Sequence, residues 1–298
     1  MIAKNATLII THSAPDLDAI GFVYSARKVF SFEVPVECKT PTREDLHDSN
    51  VIVGDIGLQG YEDIGHNPAL NNFDHHFSRA DRSATFLFNN TYHALRQDIV
   101  DYIEDVDLHG GNEKSDTTLK VATIGIRVLH DGEDLVILAE GGRLLKWLEE
   151  TAHEPGKMSG TLTETAQGYL KTGQEEVRLI REELKTMRRF TTSKGRTVGY
   201  LKTRSPVFSV AKEEMFALGI DIAVVYNPVK NRYSIARKAL GAERINLEGI
   251  IEALNAAEWH RGLPRDQHWG GHEDRIGSPR SGSILSADEV LNIVKATL

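Results

Sequence analysis

The chain is predicted to be α/β, with a doubly wound, mainly parallel sheet domain joined by a helix to a smaller α/β domain. Three observations predict it. Short apolar runs at 7–11, 51–54 and 70–74 each enter a polar loop and are followed by helical stretches such as 19–30 and 86–95. Strand and helix in alternation give a parallel sheet. At 298 residues the chain is long for one compact core, so two domains are expected. Beyond residue 190 the pattern changes to a second set of strands and helices.

Each element follows in order. Leu8-Ile9-Ile10-Thr11, Val51-Ile52-Val53-Gly54 and the run reaching Phe73 are the strands of the first domain. In such sheets ligands bind beyond the carboxyl ends of the strands, where His12, Asp55 and Asp74 would lie. Helices are expected at 119–130 and 134–153, and Glu154-Pro155-Gly156 then breaks the pattern. From Thr161 to Met187, apolar or small positions recur every three or four residues. This is an amphipathic helix of about eight turns, either packed on one domain or acting as a strut between two. The domains read as 1–155, a connector at 156–189, and 190–298. In the last, strands are expected at 197–201, 220–226 and 233–237, with a hairpin connection at 227–231. Helices are expected near 212–218, 247–256 and 287–296. The Gly-, Arg- and His-rich loop 260–283 is too long to be a simple connector.

Composition narrows the function. Hydrophobic content of 40% with 26% charged residues is ordinary for a globular protein, and no apolar run reaches the roughly 20 residues of a membrane span. The first seven residues lack the apolar length of a signal peptide. Cys38 is the sole cysteine, which leaves no intrachain disulfide or thiolate cluster and fits a reducing cytoplasm, the expected location. The net charge of −8 is uneven: residues 190–298 carry 15 Lys/Arg against 12 Asp/Glu, and the rest 20 against 31. An acidic protein gains little from counterion release along a duplex, so a nucleic-acid substrate would be short and locally gripped.

The chemistry lies in the polar loops. His12, Asp16 and Asp18 form an H-x-x-x-D-x-D array that can aim one imidazole and two carboxylates into one pocket. Asp55 follows the second strand and Asp74-His75-His76 the third. So many like charges are costly to gather unless cations neutralise them. Asp55 is expected to bridge two ions about 3.5–4 Å apart that share a nucleophilic hydroxide. Mixed oxygen and imidazole donors suit two Mn²⁺ ions, with Mg²⁺ as the alternative. Taken singly, each residue has a plainer role. His12 can be a satisfied strand-end residue, Asp18 a helix N-cap and Asp55 a turn residue. Trp269-Gly270-Gly271-His272 can bring backbone amides close to a phosphate.

These segments together resemble the DHH phosphoesterase superfamily with its DHH-associated C-terminal domain, within it the nanoRNase and nucleoside bisphosphate phosphatase group. The matching stretches are His12 to Gly21, Val53 to Gly57, Asp74-His75-His76, and Gly270-Gly271-His272 with Gly277 five residues after the His. The resemblance spans both expected domains and implies an active site in the cleft between them. It implies His12, Asp16 and Asp55 as ligands of one ion, and Asp18, Asp55, His75 and a later Asp as ligands of the other. Asp74 and His76 would be close supports or substrate contacts. Relatives often carry Asp-Thr-Gly at the later position, which this chain lacks; Asp105 is chosen there, with Asp107 in reserve and Asp101 assigned to the solvated helix face. The resemblance also implies substrate contacts from Arg237, Gly270, Gly271 and His272. Arg275 and Ile276 depart from the small residues common in the family, and 278–283 extends the loop.

The expected activity is therefore a two-metal phosphoesterase acting on short oligonucleotides, as an exonuclease, or on nucleoside bisphosphates. Attack by a metal-bridging hydroxide is expected, with catalytic roles for Asp55, Asp74 and His76. Inorganic pyrophosphatase or exopolyphosphatase is the enzymatic alternative, and Trp269 as a base-stacking platform would favour nucleotides. A non-catalytic nucleotide-binding sensor is the alternative of another class. Partners are a small phosphorylated substrate and, as an assembly, a homodimer; no membrane is expected.

Overall fold

The computed structural model describes residues 6–58, 60–75, 81–110, 116–151, 153–158, 162–238, 245–271 and 274–298. It divides into two compact units, Met1–Glu175 and Glu176–Leu298. The first contains β1 (Leu8–Thr11), α1 (Leu17–Val29), β2 (Val36–Cys38), α2 (Arg43–His47), β3 (Val51–Gly54), α3 (Glu62–Gly65), β4 (His66–Asn67) and β5 (Asn72–Phe73). After these come α4 (Ala84–Tyr92), α5 (Gln97–His109), α6 (Leu119–Leu129), α7 (Asp134–Thr151) and α8 (Glu164–Glu183). The unit boundary falls within α8.

The strand order is β2-β1-β3-β5-β4, parallel except for the β4–β5 pair. Side chains alternate along a strand, and both faces of this sheet are covered. Ile9, Ile52 and Phe73 enter the main core with α1 and α4, while Ile10, Val51 and Val53 pack with Leu46 of α2 and Ile64 of α3. This is the mixed α/β, largely parallel arrangement that the sequence predicts. Gly54 allows β3 to approach α1, because a Cβ there would lie 2.3 Å from the Phe22 ring.

Helix α1 begins earlier than expected. Its N-cap is Asp16, whose Oδ1 accepts from the amides of Asp18 (3.1 Å) and Ala19 (3.2 Å). The capping role considered for Asp18 thus belongs to Asp16, since a cap must precede the first helical residue to reach its orphan amides. Helix α8 starts on the first unit: Ala166, Tyr169 and Leu170 lie in that core.

The second unit holds β6 (Arg188–Thr191), β7 (Thr197–Lys202), α9 (Phe208–Ala217), β8 (Ile222–Asn227) and β9 (Arg232–Arg237). It continues with α10 (Glu248–His260), β10 (Gly270–Gly271), β11 (Arg275–Gly277) and α11 (Ala287–Thr297). Its sheet runs β10-β11-β9-β8-β7-β6, with only β7 and β8 parallel. The β8–β9 hairpin pairs Asn227 with Arg232, where the hairpin was expected. Among the described residues no helix is long and apolar enough to cross a membrane.

Candidate metal centre

Three strand ends build the site. The chain leaves β1 at His12, β3 at Asp55 and β5 at Asp74 and His75, so adjacent parallel strands deliver these side chains to the same end of the sheet. Asp16 and Asp18 come from the start of α1. Asp55 holds a left-handed backbone (φ 55°), a conformation costing about 1 kcal/mol that Asp tolerates better than most residues.

Two groups of metal-competent side chains result among the described residues. One is His12, Asp16 and Asp55, and the other Asp18, His75 and Asp107; within each, the ligand atoms lie within 4.8 Å of one another. Asp55 belongs to the first group and also touches the second. Its Oδ2 is 3.0 Å from His12 Nε2 and its Oδ1 is 3.1 Å from His75 Nε2, so one carboxylate turns an oxygen toward each imidazole. His12 Nε2 is also 3.7 Å from Asp16 Oδ1, while His75 Nε2 is 3.5 Å from Asp107 Oδ2 and 3.7 Å from Asp18 Oδ2.

The supporting contacts fix these side chains in place. His12 Nδ1 is 2.8 Å from the Ser13 carbonyl, which can only accept; Nδ1 therefore carries a proton and Nε2 faces the carboxylates. Asp18 is fully enclosed. Its Oδ2 accepts from the Ala84 amide (2.7 Å) and its Oδ1 from the Thr85 amide (2.9 Å), both at the start of α4. Thr85 Oγ1 in turn donates to the Asp18 carbonyl at 2.9 Å.

Protonation reflects the crowding. Burial opposes a charged ring at His12, but Asp55 and Asp16 outweigh it and raise its pKa well above the ordinary value. At His75 burial is likewise outweighed, by Asp55 first and then by Asp107 and Asp18, and the pKa is pushed up to about 10. Burial, then the charge of Asp55, lifts Asp18 to about 6 despite His75 and the Thr85 hydrogen bonds. Asp107 is raised well above the carboxylate range by burial and then by Asp18. Burial and Asp55 also push Asp16 upward, yet His12 and then Arg127 hold it below its usual value. Crowding thus favours bound protons at His12, His75, Asp18 and Asp107, but not at Asp16.

A divalent ion would replace those protons, and the donor set fits one. Each group offers one imidazole nitrogen and carboxylate oxygens, a combination suited to Mn²⁺ and less to Mg²⁺. Asp107 Oδ2 is buried with no hydrogen-bond partner among the described residues, an acceptor placed for a cation.

Of the residues chosen from sequence, His12, Asp16, Asp18, Asp55 and His75 come together. Asp105 does not. Its carboxylate is 41% exposed and pairs with His109 at 3.3 Å, whereas Asp107, the reserve, faces His75. The physical reason is the phase of α5: Ile99, Ile103 and Glu104 are buried, and position 107 continues that face. Asp74 is buried and donates its amide to the Gly65 carbonyl at 2.9 Å, but belongs to neither group. Arg127, which lowers the pKa of Asp16, was not anticipated. His76 and His272 lie outside the described residues.

In the second unit, Arg237 ends β9 and its amide donates to the Asp274 carbonyl at 2.9 Å. Gly270 and Gly271 form edge strand β10, and Gly271 adopts φ 140° with a Cβ position only 2.2 Å from the Arg275 carbonyl oxygen. Glycine is required there. Trp269 is not a surface platform. It is fully buried against Tyr233, its indole N–H donates to Glu258 at 3.0 Å, and Asn255 bonds both its amide and its carbonyl. An indole this apolar is more stable in the core than stacked in water.

No protein-family model and no curated protein matches the chain. Among solved structures it is similar to the pGpG-specific phosphodiesterase PggH of Vibrio cholerae. That likeness has 12% identity and a TM-score of 0.51, over 99% of this chain and 98% of that one. A DHH domain described as belonging to a family of ribosomal proteins has 14% identity and a TM-score of 0.45, over 97% of this chain and 85% of that one. Over nearly its whole length the chain shares the fold of that phosphodiesterase.

Proposed function

We propose that this chain is a metal-dependent phosphoesterase that hydrolyses short oligonucleotides or nucleoside bisphosphates. The observation that carries the reading is Asp55, whose two oxygens turn toward the imidazoles of two adjacent groups. His12, Asp16 and Asp55 would hold one ion, and Asp18, Asp55, His75 and Asp107 the other. When bound, such ions polarise phosphoryl oxygens and make water nucleophilic near neutral pH.

The protein's part is to keep the ligands fixed. Ser13 holds the His12 tautomer through its carbonyl, and the α4 amides hold Asp18 with both oxygens engaged. Arg237, Gly270 and Gly271 would grip substrate phosphate, the arginine through its planar fork and the glycines through backbone amides. Asp74, His76 and His272 keep the supporting and substrate-contact roles that the resemblance implies. The fold-level relative is named for activity on pGpG, a dinucleotide, which supports the short-oligonucleotide reading. Burial of Trp269 removes the expected base platform, so phosphoanhydrides belong in the same test.

The test is hydrolysis with Mn²⁺ of dinucleotides, longer RNA, nucleoside bisphosphate, pyrophosphate and polyphosphate, side by side with the Asp55→Asn variant. The expected result is preference for dinucleotide or bisphosphate and a loss of at least about 100-fold on substitution, since a shared ligand serves both ions. An unchanged rate for Asp55→Asn with Mn²⁺ present would overturn the mechanism. Exclusive cleavage of pyrophosphate or polyphosphate would overturn the substrate class.

A further inference from the structure

We propose that the Arg82–Glu104 ion pair is a positioning clamp, locking the start of α4 to α5 so that Asp18 and Asp107 face the same ion. The inference rests on the reading that Asp18, His75 and Asp107 form a metal site. Both oxygens of Asp18 are committed to the amides of Ala84 and Thr85, so this carboxylate goes where the first turn of α4 goes. Asp107 is carried by α5. The two helices are connected through 93–96, at the far end of α4 from Ala84. That connection joins the other end of α4, and near Ala84 the two helices share the apolar core of Ile99 and Ile103 but, among the described residues, no backbone link.

Arg82 supplies a side-chain tie. It stands two residues before α4, and its Nε and Nη2 engage the two oxygens of Glu104, the latter at 2.5 Å. Glu104 lies three residues before Asp107, on the same side of α5, with its side chain 11% exposed. The Arg82 guanidinium also sits 3.4 Å from the centre of the Phe86 ring, in the first turn of α4. A fork that bonds bidentately and stacks on a ring has its orientation defined on two sides. The pair therefore spans from the element holding Asp18 to the turn preceding Asp107.

Energetics separate this role from simple stabilisation. Arg82 is 47% exposed, which screens the pair from one side, but Glu104 is 11% exposed and the contact is bidentate, so removing one partner also lowers stability. Interactions that orient metal ligands, in contrast, change metal affinity by about 10–100-fold when removed. A loss confined to one of the two metal affinities therefore separates the clamp from a merely structural pair, which would leave both unchanged.

The experiment uses the full chain, with Mn²⁺ titrated by calorimetry, bound Mn²⁺ followed by electron paramagnetic resonance, and melting measured without metal. Wild type is expected to bind two ions. Arg82→Met is expected to keep one affinity and lose about tenfold or more in the other, with a fall in metal-free melting from the unpaired Glu104. Glu104→Gln should shift the same affinity in the same direction, and Arg82→Lys should fail to restore it because an ammonium cannot span both oxygens. If Arg82→Met does not fold, Glu104→Gln carries the test. Unchanged affinities for both ions in the variants, whether or not melting falls, would overturn the clamp while leaving the metal reading intact. A wild-type chain that takes up no Mn²⁺ would instead overturn the metal reading and the clamp with it.

Discussion

On α5 each residue turns about 100° from the last, so Asp105 and Asp107 point in nearly opposite directions. Asp107 continues the buried face of Ile99 and Ile103, while Asp105 turns outward to His109. Substituting Asp107→Asn should therefore weaken Mn²⁺ binding and lower kcat/KM by about 10–100-fold, the range typical of disrupting the groups around a bound metal. Asp105→Asn should stay within about twofold of wild type. Paired calorimetry and steady-state kinetics on the two variants check this, and equal losses would refute the assignment. The signal for Asp107 was already present in the chain, since apolar residues at 99 and 103 extrapolate to 107 at helical spacing. The five other residues assigned from sequence to the metal groups were legible for a different reason. His12, Asp55 and His75 each follow a recognisable strand, whose direction determines where they go, while Asp16 and Asp18 open the helix that follows β1.

At the scale of elements, α6 and α8 meet through backbone. A Cβ at Gly125 would lie 1.9 Å from the Tyr169 carbonyl oxygen, and one at Gly173 the same distance from that of Val121. Backbone cannot give way as a side chain can, so Gly125→Ala should destabilise the first unit by about 1–3 kcal/mol, the cost of overpacking. Gly168, with open space about it, is the control: Gly168→Ala should stabilise by about 0.5–1 kcal/mol through helix propensity alone. Urea unfolding of both variants decides it; a neutral Gly125→Ala would mean that the helices do not approach so closely. The crossing explains why α8 could be read either as packed or as a strut, because glycines weaken an apolar stripe that in fact marks contact. Long helices and largely buried strands such as β8 were legible from their pattern. By contrast, β6 has three exposed residues of four and was not expected as a strand, while β4, β10 and β11 are too short to show a period.

For the molecule as a whole, the crowded carboxylates link metal, protons and stability. His75 has its folded pKa raised to about 10 from an ordinary 6.5, so the stability it lends the metal-free protein is complete below pH 6.5 and is lost as pH rises toward 10. Asp18, raised to about 6 from 3.8, makes its contribution below pH 3.8 and loses it as pH rises through 6. Both signs agree: without metal, rising pH leaves the acidic cluster increasingly unneutralised. Mn²⁺ must displace the protons that His12 and His75 hold, so its affinity should increase with pH, and binding at pH 7.5 should acidify a weakly buffered solution. Melting of the metal-free protein should accordingly fall between pH 6.5 and 8.5. With saturating Mn²⁺ it should fall less, so that the stabilisation by metal widens with pH. Calorimetry in buffers of different ionisation enthalpy counts the protons released. Two ions bound with no proton release would show that the imidazoles were already neutral, and that the cluster is not the proton-filled precursor of a metal site.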